Sequence, residues 1–341
     1  MRTALGLGGR SHRRVGPRGS RALLGATAAL LVFLGSIASS AQVGEPAPQA
    51  CDTPTRSMTL FAEPLGAHRF GYGLSPGTAT IPGPTLEMLE GECLAVTLVN
   101  ETDRRLSMHA HGVDYTVASD GTPLNAGCVR PGRARTFVFA AHPPSTRADG
   151  SIQAGSAGYW HYHDHCMGGD HGTEGIRSGL FGAFIVRRPG DPVPDVPTFV
   201  VTMGPGMTID LLKAPNTPLF QAKQGQRVEF EVIGYGNLFH TFHLHGHRWV
   251  DNRTGIPGSI DDPTPVIDNR TVGPADSFGF QVIAGEGVGP GAWMYHCHVQ
   301  GHSDAGMTGI FLVTNADGQV TPATAAALER WLGSAHHEHM G

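Results

Sequence analysis

Charged residues are scarce in this chain: they make up 16% of its 341 residues, and the formal net charge is -5. The excess of Arg is concentrated in the first 21 residues, so the remainder offers no basic face to a nucleic acid. The composition therefore predicts that the protein does not bind nucleic acid.

Long apolar runs are also lacking, and one stretch of this kind, residues 22–38, is shorter than the about 20 residues that cross a bilayer. It follows an Arg-rich segment without acidic residues and precedes the small residues 39–41, which is the pattern of a secretory signal peptide. We therefore expect a signal peptide over residues 1–41, a secreted protein and no membrane contact after cleavage, with an uncleaved anchor as the alternative. Arg13 and Arg14 resemble a twin-arginine export signal.

Glycine and proline, by contrast, are abundant: 48 Gly and 25 Pro favour turns over helices. Between them lie short segments rich in β-branched and aromatic residues, which are residues 94–99, 135–139, 180–186, 199–203, 227–232, 277–283 and 309–313. Such spacing is typical of β-sandwiches and barrels. The Pro-rich segment 187–197 predicts a first domain over residues 50–190, a second over 195–318, and a C-terminal tail over 319–341 with a short helix.

Histidine is also unusually frequent, with 19 copies, and the pattern of its positions repeats. A His-x-His-Gly motif begins at His109 and again at His243, and a His-x-His motif begins at His163 and again at His296. The two offsets are 243 - 109 = 134 and 296 - 163 = 133. Near-equal offsets for two separate motifs indicate a duplicated domain.

Each His-x-His pair presents two imidazoles together, because residues i and i+2 of a β-strand point to the same face. The four pairs supply eight imidazoles. Neutral imidazole suits copper, zinc, iron and nickel alike, so the histidines predict a metal site without naming the metal.

Cys297 narrows the choice of metal. It is followed by His302 and Met307, and His240 upstream is a second imidazole. Two histidines, one thiolate and a weak axial methionine are the ligands of a blue-copper site, so this set favours copper over zinc. In a strand, the two histidine neighbours of Cys297 point the opposite way, toward a second metal group, and a short through-bond path would join the two.

Five cysteines are present, and an exported protein can form disulfides. If Cys297 binds metal, four remain, namely Cys51, Cys93, Cys128 and Cys166, and three pairings are open. Cys93 and Cys128 both border strand-like segments and could join across one sandwich, whereas Cys166 is a candidate free thiol.

Two motifs together resemble those of the multicopper oxidases, and specifically the bacterial two-domain small laccases: His-Thr-Phe-His-Leu-His-Gly-His (240–247) and Trp-Met-Tyr-His-Cys-His-Val-Gln-Gly-His-Ser-Asp-Ala-Gly-Met (293–307). The resemblance covers roughly residues 55–318 and implies an all-β fold of two cupredoxin-like Greek-key β-sandwich or barrel domains in tandem. It also implies four coppers per functional unit: one type 1 ion, and a trinuclear cluster of one type 2 and two type 3 ions. The ligands that it implies are His240, Cys297, His302 and axial Met307 for type 1 copper, His109 and His243 for type 2 copper, and His111, His163, His165, His245, His296 and His298 for the type 3 pair.

The same resemblance implies a laccase-type activity, in which phenolic or other aromatic donors are oxidised one electron at a time and dioxygen is reduced to water at the cluster. It implies a cyclic homotrimer, with the cluster between the first domain of one chain and the second domain of its neighbour. The first-domain positions that match the type 1 ligands are Leu106, Asp164 and Leu180. The repeat therefore predicts no type 1 site in the first domain, where Asp164 could simply face solvent.

Two further residues match family positions near the cluster: Tyr115 as a redox participant, and Asp120 as the acid that passes protons to the oxygen site. A packed aromatic and a turn-forming Asp before Gly are the competing interpretations. The remaining histidines are expected to orient a ligand imidazole or lie at the surface (His161, His171 and His247), to form a solvated tail (His336, His337 and His339), or to have no role (His68 and His142).

Three other functions stay open. A metallo-oxidase for cuprous or ferrous ion would need a cluster of soft ligands, but the 10 Met are scattered. A copper nitrite reductase needs only three histidines at its catalytic copper, against eight here. A non-enzymatic blue-copper carrier would use Cys297 but leave the first-half pairs unused.

Overall fold

Strands carry most of the regular structure in the computed structural model, which describes residue 51 and residues 53–334. The predicted signal peptide (1–41) and the tail histidines His336, His337 and His339 lie outside these residues. The predicted short helix of the tail lies within them, at Pro322–Ser334. No helix in this part of the chain is both long and apolar enough to cross a membrane.

The two halves of the described chain hold similar sets of strands. Those of the first half are β1 (Arg56–Gly66), β2 (Arg69–Gly73), β3 (Gly83–Leu89), β4 (Cys93–Asn100), β5 (His109–Ala110), β6 (Ala134–Ala140), β7 (Ser145–Thr146), β8 (Ile152–Gln153), β9 (Gly158–His163) and β10 (Phe181–Arg187). Those of the second half are β11 (Phe199–Gly204), β12 (Thr208–Ile209), β13 (Leu219–Lys223), β14 (Arg227–Gly234), β15 (His240–Leu244), β16 (Trp249–Val250), β17 (Val266–Ile267), β18 (Asn269–Val272), β19 (Ser277–Ile283), β20 (Gly291–Cys297) and β21 (Thr308–Thr314). The helices are α1 (Thr173–Ser178), α2 (Gln300–Asp304) and α3 (Pro322–Ser334), with a 3₁₀ turn at Val117–Ser119.

Each half is a sandwich of two sheets, and the strand order repeats. In the first domain, neighbouring strands run β2-β1-β4-β6 in one sheet and β3-β10-β9-β5 in the other. In the second domain they run β12-β11-β14-β19 and β13-β21-β20-β15-β18. Parallel pairs occur at matching places, β1 with β4 and β3 with β10, then β11 with β14 and β13 with β21. The prediction of an all-β fold with two sandwich domains in tandem is confirmed.

Alternating apolar residues along the strands build the two cores. Leu94, Val96 and Leu98 of β4 are fully buried in the first core, and Val228 and Phe230 of β14 are fully buried in the second. Because successive residues of a strand face opposite sides, every second side chain enters the core, where burial contributes about 1.5–3 kcal/mol for each large one. The predicted strand segments coincide with β4, β6, β10, β11, β14, β19 and β21, except that residue 180 precedes β10.

The two domains pack through β9 and β10 of the first and β14 and β19 of the second. Glu229 of β14 is fully buried there and accepts hydrogen bonds from the Arg187 guanidinium at 2.8 and 2.9 Å and from the Tyr159 hydroxyl at 2.6 Å. Burial acts to raise the pKa of Glu229, but the Arg187 guanidinium and the Tyr159 hydroxyl outweigh it and hold this pKa below its usual range. Removing one partner of such a buried pair costs about 3–5 kcal/mol, so this contact fixes how the domains meet.

The disulfides join Cys51 to Cys93 and Cys128 to Cys166. The expectation that Cys93 pairs with Cys128 is therefore wrong, and Cys166 is not a free thiol. β1 pairs in parallel with β4, which brings the residues just before β1 beside Cys93, a proximity that strand-like composition does not show. Cys297 is the free cysteine among the described residues.

Candidate metal centres

One group of side chains converges at an end of the second domain. His240 begins β15, Cys297 ends β20 and His302 lies in α2. The Cys297 Sγ lies 3.9 Å from His240 Nδ1 and 3.6 Å from His302 Nδ1, and the two Nδ1 atoms are 3.2 Å apart. The Met307 N–H donates to the His302 carbonyl and the Cys297 N–H donates to the Met307 carbonyl, at 3.1 and 3.0 Å. These backbone bonds close the loop from Cys297 to Met307 and hold its ligand side chains together.

The donor set of this group fits copper. Cys297, His240 and Met307 are fully buried, and Cys297 forms no disulfide. Burial, with a smaller contribution from the charge of His302, lowers the pKa of His240 to about 4, so its imidazole is neutral and its lone pair is available to a cation. Two imidazoles, a thiolate and a methionine are the donors of a blue-copper site.

The two imidazoles of this group differ in exposure. His240 has no exposed surface, whereas His302 is partly exposed. The sequence left open which of the two reaches the surface, because exposure depends on what packs over each ring. The structure assigns the accessible edge to His302.

A second group of histidines lies in the first domain, where β5 and β9 pair with His109 opposite His163. His111 Nε2 lies 3.2 Å from His163 Nε2. The His109 Nδ1 lies 2.7 Å from the Asp120 carbonyl and the His163 Nδ1 lies 2.7 Å from the Asp164 carbonyl. Since a carbonyl only accepts, both Nδ1 atoms must carry the proton, which leaves the Nε2 lone pairs free for a metal.

The second domain repeats this arrangement in a third group. β15 and β20 pair with His243 opposite His296, and His245 Nε2 lies 3.1 Å from His296 Nε2. The His243 Nδ1 donates to the Asp268 carbonyl at 2.8 Å and the His296 Nδ1 donates to the Cys297 carbonyl at 2.8 Å. The duplication read from the histidine offsets therefore extends to strand register and to the tautomer of the imidazoles.

His165 and His298 lie beside these two groups. The His165 ring centroid is 5.1 Å from that of His109, and the His298 ring centroid is 5.3 Å from that of His243. The Nδ1 of His165 is buried without a hydrogen-bond partner, which is costly for a polar atom unless a ligand satisfies it. The three-residue groups with ligand atoms within 4.8 Å of one another are His109, His111 and His163, then His243, His245 and His296, then His240, Cys297 and His302.

Burial keeps the imidazoles of the first domain neutral. It is the main cause that lowers the pKa of His111 to about 4 and the pKa of His163 to about 3, and the charges of neighbouring histidines add to it. The same two causes, burial first, lower the pKa of His165, His245 and His296. Neutral imidazoles that face one another in clusters are the state that metal binding requires.

A glycine follows the first His-x-His pair of each domain because the chain turns over a tryptophan at that point. Gly112 has φ +73° and Gly246 has φ +71°, in the left-handed region that favours glycine. A Cβ at Gly112 would overlap the Trp160 ring, and one at Gly246 would lie 2.9 Å from the Trp293 ring. The fourth residue of the motif is therefore set by packing rather than by metal binding.

The second and third groups lie in different domains of the chain. Ring contacts of the first-domain group are internal or reach Tyr115, His161, His171 and Tyr235. Those of the second-domain group are internal. Among the described residues, no ring contact joins the two groups, so one chain by itself does not assemble all eight imidazoles.

Tyr115 and Asp120 both lie beside His109. The Tyr115 ring centroid is 5.9 Å from that of His109, and burial followed by the Asp120 charge raises the pKa of Tyr115. Burial acts to raise the pKa of Asp120, but hydrogen bonds from Thr122 and Asn125 outweigh it and lower this pKa. Asp120 also caps the 3₁₀ turn, so it combines a turn-forming position with a place beside His109.

Asp268 is a residue that the sequence analysis missed. Its carbonyl orients His243, and its half-exposed carboxylate lies 3.7 Å from His243 Nδ1, as the Asp120 carboxylate lies 3.7 Å from His109 Nδ1. Asp120 follows His109 by 11 residues, whereas Asp268 follows His243 by 25, counted along the chain. No common offset therefore marks the two as equivalent.

In the first domain, the residues at the type 1 positions fill the space themselves. Leu106 and Leu180 are fully buried. Asp164 is also fully buried, so the expectation that it could face solvent is wrong. Its carboxylate accepts the backbone N–H of Ser107 at 2.6 Å and of Met167 at 2.7 Å, which is why a carboxylate is retained inside. Burial nevertheless raises the pKa of Asp164 to about 6.

Two of the remaining histidines, His161 and His247, contact members of the second and third groups. The His161 Nε2 donates to the Ala275 carbonyl at 3.1 Å, its Nδ1 accepts from the Tyr235 hydroxyl at 2.9 Å, and its ring stacks 4.0 Å from that of His111. The His247 Nδ1 donates to the carbonyl of His245 at 2.9 Å. Of the others, His171 is exposed near His165, His142 bonds Asp114, and His68 occupies a turn between β1 and β2.

Two family models match the chain, and both describe multicopper oxidases: one over residues 78–191 and one over residues 192–317. Together they cover more than half of the sequence. Their boundary falls in the Pro-rich segment between the two sandwiches.

Curated relatives have varied names. A "Probable nitrite reductase-hydroxylamine oxidoreductase fusion protein" of Kuenenia stuttgartiensis is 34% identical over 266 residues, which are 72% of this chain and 29% of that protein. "Laccase-20" of Oryza sativa subsp. indica is 32% identical over 39% of this chain and 21% of that protein. The chain thus spans less than a third of the length of these relatives.

Solved structures share the fold. A "Blue Copper Oxidase from Nitrosomonas europaea" superposes with a TM-score of 0.54 and 21% identity, over 83% of this chain and 95% of that one. A "Copper nitrite reductase from Nitrosomonas europaea" gives a TM-score of 0.56 and 18% identity, over 77% and 94%. The chain therefore belongs to the multicopper oxidase family and has two cupredoxin-like domains.

Proposed function

We propose that this protein is a laccase-type oxidase, which takes electrons one at a time from phenolic or other aromatic donors and reduces dioxygen to water. The observation that carries the proposal is the arrangement at the end of β20: Cys297 joins the group of His240 and His302, while the adjacent His296 joins the third group. Bound copper supplies the redox chemistry. Four donors each lose one electron and one proton, and one dioxygen takes up four of each to form two water molecules.

The donor is proposed to give its electron at the His302 edge. His302 is the partly exposed imidazole of the Cys297 group, whereas His240 is fully buried. Phe239, which is 67% exposed and directly precedes His240, adds apolar surface at the same end of the domain. An aromatic donor thus finds both an apolar contact and an accessible imidazole there.

Four coppers per functional unit are proposed, with the ligands that the resemblance implies. The Cys297 group would hold type 1 copper, and the buried Met307 would add a weak thioether ligand. The Nε2 atoms that converge within each histidine group fit the trinuclear cluster, with His109 and His243 on type 2 copper and the other six histidines on the type 3 pair.

A cyclic homotrimer is proposed to complete the cluster. Each domain carries one all-histidine group, and among the described residues no ring contact joins the two groups. A head-to-tail contact between the first domain of one chain and the second domain of the next would bring them together, and such a contact forms a ring when its rotation closes after three copies.

Proton supply and export are further parts of the proposal. Asp120 would pass protons toward the cluster, and Tyr115 would act as a redox participant, since both side chains lie beside His109. The protein would be exported by its N-terminal segment, residues 1–41.

Reduction of nitrite is a second candidate. The 34%-identical relative whose name includes a nitrite reductase favours it. The eight cluster histidines favour the oxidase instead, because a nitrite reductase would leave most of them without a metal.

An absorption spectrum of the copper-loaded protein, with its copper content and its mass in solution, is the first test. We expect an intense red-region band from the thiolate, a near-ultraviolet shoulder from the copper pair, four coppers per chain and a trimer. Oxygen uptake with 2,6-dimethoxyphenol should consume four donors per dioxygen. A red-region band without the shoulder would contradict the cluster, and absence of both at full copper loading would contradict the ligand assignment. Nitrite consumption without oxygen uptake would select the second candidate.

A further inference from the structure

A cleft of about 370 Å³ lies between the two domains, near the end of β14. α1 of the first domain forms one side, and two loops of the second domain, which follow β11 and β14, form the other. The lining residues are Thr173, Ile176, Arg177, Gly204, Pro205, Gly206, Tyr235, Gly236, Asn237 and Leu238. This volume is at the lower end of the range of small-molecule sites and suits a single-ring compound.

The cleft combines one positive charge with apolar walls. Arg177 is the charged residue of the lining, and its exposed guanidinium has no carboxylate partner among residue 51 and residues 53–334. The Arg69 guanidinium donates to the Arg177 carbonyl at 3.2 Å, which adds a second positive charge nearby. Pro205 and Leu238 offer apolar surface, and Leu238 is 42% exposed. Such a cleft favours an anion that carries a flat ring.

The cleft adjoins the segment of chain that leads to His240 of the Cys297 group. Its wall from Tyr235 to Leu238 is followed along the chain by Phe239, the exposed residue of the proposed donor surface, and then by His240, the first residue of β15. Two residues of chain span at most about 7 Å, so the Cα of Leu238 lies within that distance of the Cα of His240. A ring held against Leu238 would therefore lie beside the segment that carries a proposed copper ligand.

We propose that this cleft binds single-ring aromatic donors that carry a carboxylate, that is, phenolic acids. Their carboxylate pairs with the Arg177 guanidinium, which presents a planar fork of N–H donors that matches a carboxylate, and their ring packs against Pro205 and Leu238. This inference rests on the proposed function for turnover, but binding itself needs no redox step.

Binding is tested by calorimetry on the copper-loaded protein with 4-methoxybenzoate and, as its neutral counterpart, 4-methoxybenzamide, neither of which has an oxidisable phenol. We expect the benzoate to bind at least tenfold more tightly than the benzamide. Arg177→Gln should remove this preference, whereas Arg133→Gln, which changes an exposed arginine that does not line the cleft, should keep it. Equal affinities of the native protein for the two probes, or an unchanged preference in Arg177→Gln, would overturn the proposal.

Turnover provides the second measurement, with 4-hydroxy-3-methoxybenzoate and its methyl ester as donors. Arg177→Gln should lower kcat/KM for the acid at least tenfold, mainly through KM, and leave kcat/KM for the ester unchanged. An equal loss for both donors would overturn the proposal, because it would indicate a structural effect. If neither donor is oxidised while the benzoate still binds through Arg177, the proposed laccase activity fails and the binding site stands.

Discussion

The two domains share a strand order and a register of histidines, yet they differ at one decisive position. His109 faces His163 across β5 and β9, and His243 faces His296 across β15 and β20. Where the second domain has Cys297, the first has Asp164, whose buried carboxylate binds backbone N–H groups. Strand pairing therefore preserves the presentation of imidazoles in both copies, while the residue at the end of the strand is a buried thiol in one copy and a buried carboxylate in the other.

The loops after this position differ as well. In the first domain, residues 164–180 connect β9 to β10, and the Cys128–Cys166 disulfide ties this loop to the one that carries Asp120. In the second domain the connection is the shorter stretch 298–307, which carries His302 and Met307. A short loop closed by backbone hydrogen bonds can hold two ligands near Cys297, whereas a longer one needs other constraints.

The largest effect is expected from Cys297→Ser. Loss of the thiolate should abolish the red-region band and donor oxidation, because no other residue of the Cys297 group supplies a soft anionic ligand. The matched change in the first domain, Asp164→Asn, should keep the band and lower the free energy of unfolding by about 1–3 kcal/mol, since one backbone N–H loses its acceptor. Absorption spectra and denaturant unfolding measure the two effects, and a red-region band in Cys297→Ser would contradict the assignment.

The next largest effect is expected from changes in the histidine groups, which should alter copper content and oxygen uptake without removing the Cys297 thiolate. His163→Ala and His296→Ala should each lower the copper content and the oxygen uptake, because each removes an Nε2 that faces a second imidazole. The red-region band should persist in His163→Ala, which lies in the other domain. Copper analysis and oxygen electrodes measure this, and full copper content with unchanged oxygen uptake in either variant would show that its group does not serve a shared cluster.

A smaller effect on turnover is expected from changing the two carboxylates beside the histidine groups, those of Asp120 and Asp268. Asp120→Asn should slow turnover by about 10²–10⁴-fold if Asp120 is the proton donor, a typical contribution of general acids. Asp268→Asn provides the comparison, because both changes leave the backbone carbonyl that orients the imidazole in place. Turnover numbers at saturating donor, together with solvent isotope effects, measure the difference. Unchanged turnover in Asp120→Asn would exclude a proton-transfer role for its carboxylate.

The domain contact gives the smallest effect on activity but a measurable effect on stability. Glu229→Gln should lower the free energy of unfolding at neutral pH by up to about 3–5 kcal/mol, while Glu92→Gln, which breaks an exposed pair with Arg56, should cost less than about 1 kcal/mol. Because the folded-state pKa of Glu229 is lowered, its contribution is complete above the unfolded-state pKa and is lost as the pH falls through the folded-state pKa. Urea unfolding at neutral and acidic pH should show the free energies of unfolding of the native protein and Glu229→Gln converging in acid. Equal losses in Glu229→Gln and Glu92→Gln at neutral pH would contradict this account.

Much of the fold followed from local patterns. The strands β4 and β14 were predictable because their alternating apolar residues fit one face of a sheet. His302 and Met307 were predictable as partners of Cys297 because one motif places the three within ten residues, whereas His240 comes from a separate motif 57 residues upstream of Cys297. Asp268 and the disulfide partner of Cys93 were not, since each depends on which distant segments become neighbours across a sheet. The burial of Asp164 was missed because its partners are backbone N–H groups, which no side-chain motif reveals.

The sequence by itself determined the duplicated domain, the four His-x-His pairs and the donor set of the Cys297 group, because strand periodicity and ligand spacing are properties of neighbouring residues. Only the tertiary structure decided that His302 rather than His240 reaches the surface, that Asp164 is enclosed, and that Glu229 binds Arg187 across the domain contact. Exposure and long-range pairing depend on which surfaces pack together, and the free energy of that packing is distributed over residues far apart in the chain.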